Sequence, residues 1–124
     1  MTVDAFADRL ALVRQRFVST LNAKIDAAYA SIPKLGGLAP TAASAVGETY
    51  RCMHCLVGVG STVGFPATGR AAHDVEDTLR PAQNDRRGLS EDEISALKGR
   101  LLDLRAAAER EIQCFNRSLK VTQD

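Results

Sequence analysis

The sequence predicts an all-α chain, an antiparallel up-and-down four-helix bundle, on three observations. Four long segments carry apolar residues at steps of three and four, the period of an amphipathic helix. Short stretches bearing Pro and Gly separate them, so consecutive helices fold back on one another. No stretch alternates like a strand, and a composition rich in Ala, Leu and Arg without Trp favours helix over sheet.

The first helix is expected over 4–32, where Phe6, Leu10, Val13, Phe17, Leu21, Ile25, Ala28 and Ile32 form the stripe. Pro33 and Gly36-Gly37 end it. A loop runs to Pro40, and Thr41 serves as N-cap of a second helix over 41–63. Gly64 stops that helix and Pro66 opens a third over 66–80, with Ala72, Val75 and Leu79 as a narrow apolar edge that ends near Pro81. Residues 81–89 read as a polar loop. Ser90 and Glu93 form a capping box for a fourth helix over 91–119, whose stripe runs Ile94, Leu97, Leu101, Leu104, Ala108, Ile112, Phe115 and Leu119. Nothing divides the chain, so residues 1–124 are read as one helical domain.

Composition narrows the function classes. A hydrophobic share of 45% is that of a globular chain rather than a disordered one. A net charge of +1 argues against nucleic acid as the main partner, and no stretch has the apolar length of a membrane span. The N-terminus lacks the layout of a secretory signal, and three cysteines give no disulfide framework, so a cytoplasmic setting is expected.

The second helix holds the chemistry. Gly47, Gly58 and Gly60 lie inside it, each costing about 1 kcal/mol against Ala, a burden that asks for a packing or functional reason. His54 shares a helical face with Gly47, Arg51, Gly58 and Ser61, and Gly58 clears space beside the imidazole for a bulky partner. A neutral imidazole keeps a lone pair on one ring nitrogen and can act as a nucleophile that forms a covalent intermediate. A carboxylate accepting from Nδ1–H leaves Nε2 to attack. Glu76 is the candidate: His54 stands ten residues before Gly64 and Glu76 twelve after it, so an antiparallel hairpin brings them to similar height.

His54, Gly58 and Gly64, with Leu56 and Val63 between them, resemble the His-x-x-x-Gly-x-x-x-x-x-Gly signature of histidine-containing phosphotransfer (HPt) domains. Thr62-Val63-Gly64-Phe65 makes the motif most similar to the N-terminal phosphotransfer domain of chemotaxis histidine kinases. His73 and Glu76 match that family's second histidine and its glutamate. The resemblance implies a phosphoryl carrier. A histidine kinase catalytic domain loads His54 at Nε2, and a response-regulator receiver domain takes the phosphoryl onto its aspartate over a face that includes Gly58, Val57, Ser61 and Gly47. It further implies that Glu76 orients Nδ1, that His73 supports the site, and that the cofactor, Mg²⁺, belongs to the partner. The chain departs from the family at Val57, where a Lys is usual, and Arg51 one turn before His54 is the candidate phosphate contact in its place.

The chain carries no nucleotide-binding signature, since Gly58, Gly60 and Gly64 have the wrong spacing for a dinucleotide fingerprint and no strand precedes them. Two other readings stand beside the carrier. One is a non-catalytic interaction module, a degenerate form of the domain. The other is a metal or redox bundle built on Cys52, Cys55, His54 and His73; the mid-helix position of Cys52-x-x-Cys55 and the lack of a second such pair count against it.

Overall fold

The computed structural model describes residues 3–123, with side chains from 5 to 118. Helices α1 (Val3–Leu35), α2 (Pro40–Thr62), α3 (Pro66–Asp85) and α4 (Glu91–Gln123) follow in chain order. Each packs on two neighbours, α1 on α2, α2 on α3, α3 on α4 and α4 back on α1, which closes an antiparallel bundle of the expected class. The predicted stripes meet at its centre, where Leu21, Ile25, Val46, Met53, Leu56, Val75, Leu79, Leu97, Leu101 and Leu104 are fully buried. None of the described helices is long and apolar enough to cross a membrane.

The helices outrun the sequence reading at two prolines. Helix α1 continues through Pro33 to Leu35, and α3 through Pro81 to Asp85. A proline inside a helix forfeits one backbone bond and crowds the preceding turn. Near a helix end that cost is small beside the burial of Leu35 in one case and of Leu79 and Ala82 in the other. Helix α3 then ends on Arg86 in the left-handed region at φ 53°, with the Arg87 amide donating to the Ala82 carbonyl at 3.0 Å. At the start of α2 the N-cap is Ala39, with no side-chain bond, in place of the expected Thr41; Pro40 at the first turn needs no amide partner.

The stripe also overreaches at the bundle end. Phe6 and Val13 are exposed although they fall on the stripe. Leu119, expected at the end of the α4 stripe, has its side chain outside the described residues.

The α2–α3 turn fixes the site. Gly64 adopts φ +87°, and the Phe65 amide donates to the Gly60 carbonyl at 2.8 Å, the wrapped-back closure of a helix C-terminus. Arg14 Nε donates to the Val63 carbonyl at 2.7 Å. Phe65 wedges between Phe17 and Phe115, with ring centroids 5.1 and 6.2 Å away. The first amides of α3 find a partner on α4, as Ala67 and Thr68 donate to the Glu111 carboxylate at 3.2 and 2.6 Å. Above this turn α2 and α3 nearly touch: a Cβ on Gly60 would lie 3.3 Å from the backbone of Gly69. The glycine in mid-helix therefore lets two backbones approach.

At the other end the loops are stitched together. The Leu89 amide donates to the Leu35 carbonyl at 2.7 Å. The capping box forms, with the Ser90 amide donating to Glu93 Oε1 at 2.9 Å and the Glu93 amide to Ser90 Oγ at 3.2 Å. The Arg87 guanidinium, then the Ser90 bonds, hold the Glu93 carboxyl down at about 2 against an ordinary 4.5, outweighing its partial burial. A depressed carboxyl stabilises the fold above its unfolded value, and that contribution is lost as pH falls from about 4.5 to about 2. Glu93→Gln should therefore flatten the acid limb of the stability–pH curve in that window, as read by urea melts at stepped pH.

Candidate functional site

His54 stands near the middle of α2, and its side chain is 71% exposed, whereas that of Glu76 on α3 is 5% exposed. His54 Nδ1 lies 3.1 Å from Glu76 Oε1. The imidazole thus rests one nitrogen on a buried carboxylate and turns the other edge outward. Burial pushes the Glu76 carboxyl up, but the bonds from His54 and Tyr50, the charge of His54 and the bond from Arg80 outweigh it, and the group sits below the ordinary carboxylate value. An ionised carboxylate only accepts, so the neutral tautomer that bonds Glu76 is the one with hydrogen on Nδ1 and a lone pair on Nε2. The Tyr50 ring, one turn before His54, lies nearly parallel to the imidazole at 12° with centroids 6.4 Å apart.

The other predicted site residues fall out as follows. Gly58 is exposed with nothing within 4 Å of a Cβ placed on it, Ser61 is exposed, and Val57 is half-buried beside them. These three border His54 on an open face. Gly47 is not part of that face. It is buried, and Gln83 Oε1 stands 3.2 Å from where its Cβ would be. The helical wheel aligns Gly47 with His54, but α3 continues past Pro81 and covers it. Arg51 also points elsewhere, since its Nη1 lies 3.4 Å from the Cβ position of Gly47, one turn back from Arg51 and on the far side from His54. His73 is exposed and pairs through Nδ1 with Asp77 Oδ2 at 3.4 Å, so it touches neither His54 nor Glu76 directly.

No cysteine among the described residues joins a group of three or more possible metal ligands. Among the described residues, the group whose ligand atoms all lie within 4.8 Å of one another is His73, Asp74 and Asp77, which excludes Cys55 and His54 from a common site with His73. Burial pushes the Cys52 thiol up, with Lys24 opposing and Cys55 adding to the rise, so it is held away from the thiolate that metal binding needs.

Sequence reasoning missed two members of the site. Arg80, one turn after Glu76, donates from Nη2 to the same Oε1 at 3.3 Å and also pairs with Asp77. Tyr50, one turn before His54 on α2, is the other, and its hydroxyl helps to hold the Glu76 carboxyl down.

The family model described as Hpt domain matches residues 12–107, more than three quarters of the chain. This chain belongs to the Hpt domain family. No curated protein and no solved structure matches it. Hpt domains are phosphotransfer carriers of phosphorelays, and they work with receiver domains and histidine kinases. The match spans α2, α3 and the exposed histidine between them and the solvent, so this Hpt domain has the architecture its role needs. The His54 side chain, 71% exposed on the side of the bundle, is open to a partner.

Proposed function

We propose that His54 is the phosphoryl-accepting residue of this Hpt domain and that Nε2 is the atom that bonds phosphorus. The observation that carries the reading is the pairing of an exposed imidazole with a buried carboxylate across the α2–α3 interface. On loading, the Nε2 lone pair attacks the terminal phosphorus of a nucleoside triphosphate held by a histidine kinase catalytic domain. The P–Nε2 bond forms, the P–O bond to the diphosphate breaks, and the Nδ1 hydrogen stays on its bond to Glu76. On delivery, an aspartate carboxylate of a receiver domain attacks phosphorus, the P–Nε2 bond breaks, and the electron pair returns to Nε2. The receiver brings Mg²⁺ for the charge on the transferring group.

The receiver docks on the open face of α2 at Gly58, Val57 and Ser61. Open space over Gly58 supports this, because a helix that lacks a side chain there lets a partner approach the ring. Resemblance of the motif to chemotaxis kinases favours a receiver of that pathway class. A cytoplasmic setting completes the proposal, supported by three free cysteines.

The test is a two-step relay. The chain is incubated with a histidine kinase catalytic core and labelled ATP, then given a receiver domain with Mg²⁺. An acid-labile, alkali-stable label that moves to the receiver is the expected result, and no label across a broad kinase panel contradicts the proposal. Glu76→Gln should retain the fold but slow loading roughly 10–100-fold, the size of effect typical when the group orienting a reactive imidazole is lost. Single-turnover labelling beside a circular dichroism spectrum measures both halves of that expectation.

A further inference from the structure

The buried carboxylate serves more than one partner. Glu76 Oε1 accepts from His54 Nδ1 at 3.1 Å and from Arg80 Nη2 at 3.3 Å. Arg80 also bonds Asp77, and Asp77 lies 3.4 Å from His73 Nδ1. Residues 73, 76, 77 and 80 stand three and four apart, so they form one ladder along α3. Nitrogen and carboxylate groups alternate from His54 through Glu76, Arg80 and Asp77 to His73.

A guanidinium only donates, and it keeps its charge throughout the working pH range. A guanidinium bonded to a carboxylate oxygen favours the ionised form, which has no proton to donate toward His54. The same Oε1 can then meet Nδ1 in one way, as acceptor of Nδ1–H. Without Arg80, a buried carboxyl in a low-dielectric site could take a proton, donate to Nδ1 and leave Nε2 as the N–H, with no lone pair to react. Tyr50 can serve Glu76 as donor but, being also an acceptor, cannot impose the direction.

We propose that Arg80 is a positioning residue that fixes the His54 tautomer by holding Glu76 Oε1 as an acceptor. Asp77 and, beyond it, His73 hold the guanidinium in place. The inference rests on the reading of His54 as nucleophile for its consequence, but not for its direct measurement. Arg80 side-chain exposure of 43% makes its replacement tolerable to the fold.

The test compares Arg80→Met and Arg80→Lys with the parent chain by ¹⁵N NMR of the imidazole nitrogens of the unphosphorylated protein, with loading rates alongside. The parent should show Nδ1–H with an unprotonated Nε2. Arg80→Met should show a mixture of the two tautomers and load about tenfold more slowly, while Arg80→Lys, which restores a donor-only cation, should return both readouts to within about threefold. Should the Met variant lose helicity, Arg80→Gln carries the same comparison. An Arg80→Met chain with the parent's ring-nitrogen shifts overturns the inference, whatever its loading rate. A parent chain that shows Nδ1–H but takes no phosphate contradicts the proposed function and leaves the role of Arg80 standing, so the two failures are distinguishable.

Discussion

His54→Gln should reduce phosphoryl loading to background while leaving the helical content and thermal midpoint close to those of the parent. The residue is exposed, and no core contact depends on its ring. Its loss removes the only imidazole that a buried carboxylate orients among the described residues. The second histidine cannot stand in, because His73 rests on Asp77, an exposed carboxylate, and not on a buried one. A glutamine side chain fills similar volume and can still bond Glu76 through its amide, so Glu76 is not stranded. Labelling with kinase and ATP, followed by acid treatment, measures the loss; residual label above a few per cent of the parent would mean that another residue accepts the phosphoryl.

Two glycines of α2, two residues apart, should respond with opposite signs. Gly60→Leu is expected to destabilise by about 3 kcal/mol, the upper end of the overpacking range, and to lower the thermal midpoint by roughly 10 °C. The atoms it would meet are the backbone of Gly69 at 3.3 Å and the Phe65 carbonyl at 3.4 Å, none of which can rotate aside. The helix-propensity gain of about 1 kcal/mol on leaving glycine does not offset that clash. Gly58→Ala meets nothing within 4 Å and should stabilise by about 0.5–1 kcal/mol. The larger Gly58→Phe should fold as well and accept phosphate from acetyl phosphate at the parent's rate, yet transfer to a receiver more slowly, since only the protein partner needs the space. Thermal melts separate the first pair, and the ratio of small-donor to receiver kinetics isolates the docking effect. Equal transfer by Gly58→Phe would remove Gly58 from the docking face.

The elements were legible because their apolar periods are long and their turns carry strong punctuation. The Ser90–Glu93 box and the Gly64 stop formed as the residue types require. The proximity of Glu76 to His54 followed from hairpin length alone. Prolines misled where tertiary burial outweighed one lost backbone bond, at Pro33 and Pro81. The second of these errors generated another: with α3 ended at residue 80, Gly47 stood open beside His54, whereas the added turn brings Gln83 over it. Phe6 and Val13 satisfied the period of α1 and are nonetheless exposed, as periodicity says which residues share a face and not how far each is covered.

Arg80 was missed for a different reason. Arg51 on α2 is the cation nearest His54 in sequence, but its guanidinium folds toward Gly47. The signal lay on α3, where His73, Glu76, Asp77 and Arg80 stand so that each acid has a basic or imidazole side chain three or four residues away. Once Glu76 is taken as the partner of His54, the residue one turn beyond it is the natural next place to look.

The central claim is tested most directly by locating the phosphoryl group in the loaded chain. ³¹P–¹⁵N correlation and peptide mapping of the protein phosphorylated by a kinase core should find it on Nε2 of His54, with Nδ1 still protonated and bonded toward Glu76. A phosphoryl on Nδ1, on His73 or on any other residue would contradict the account.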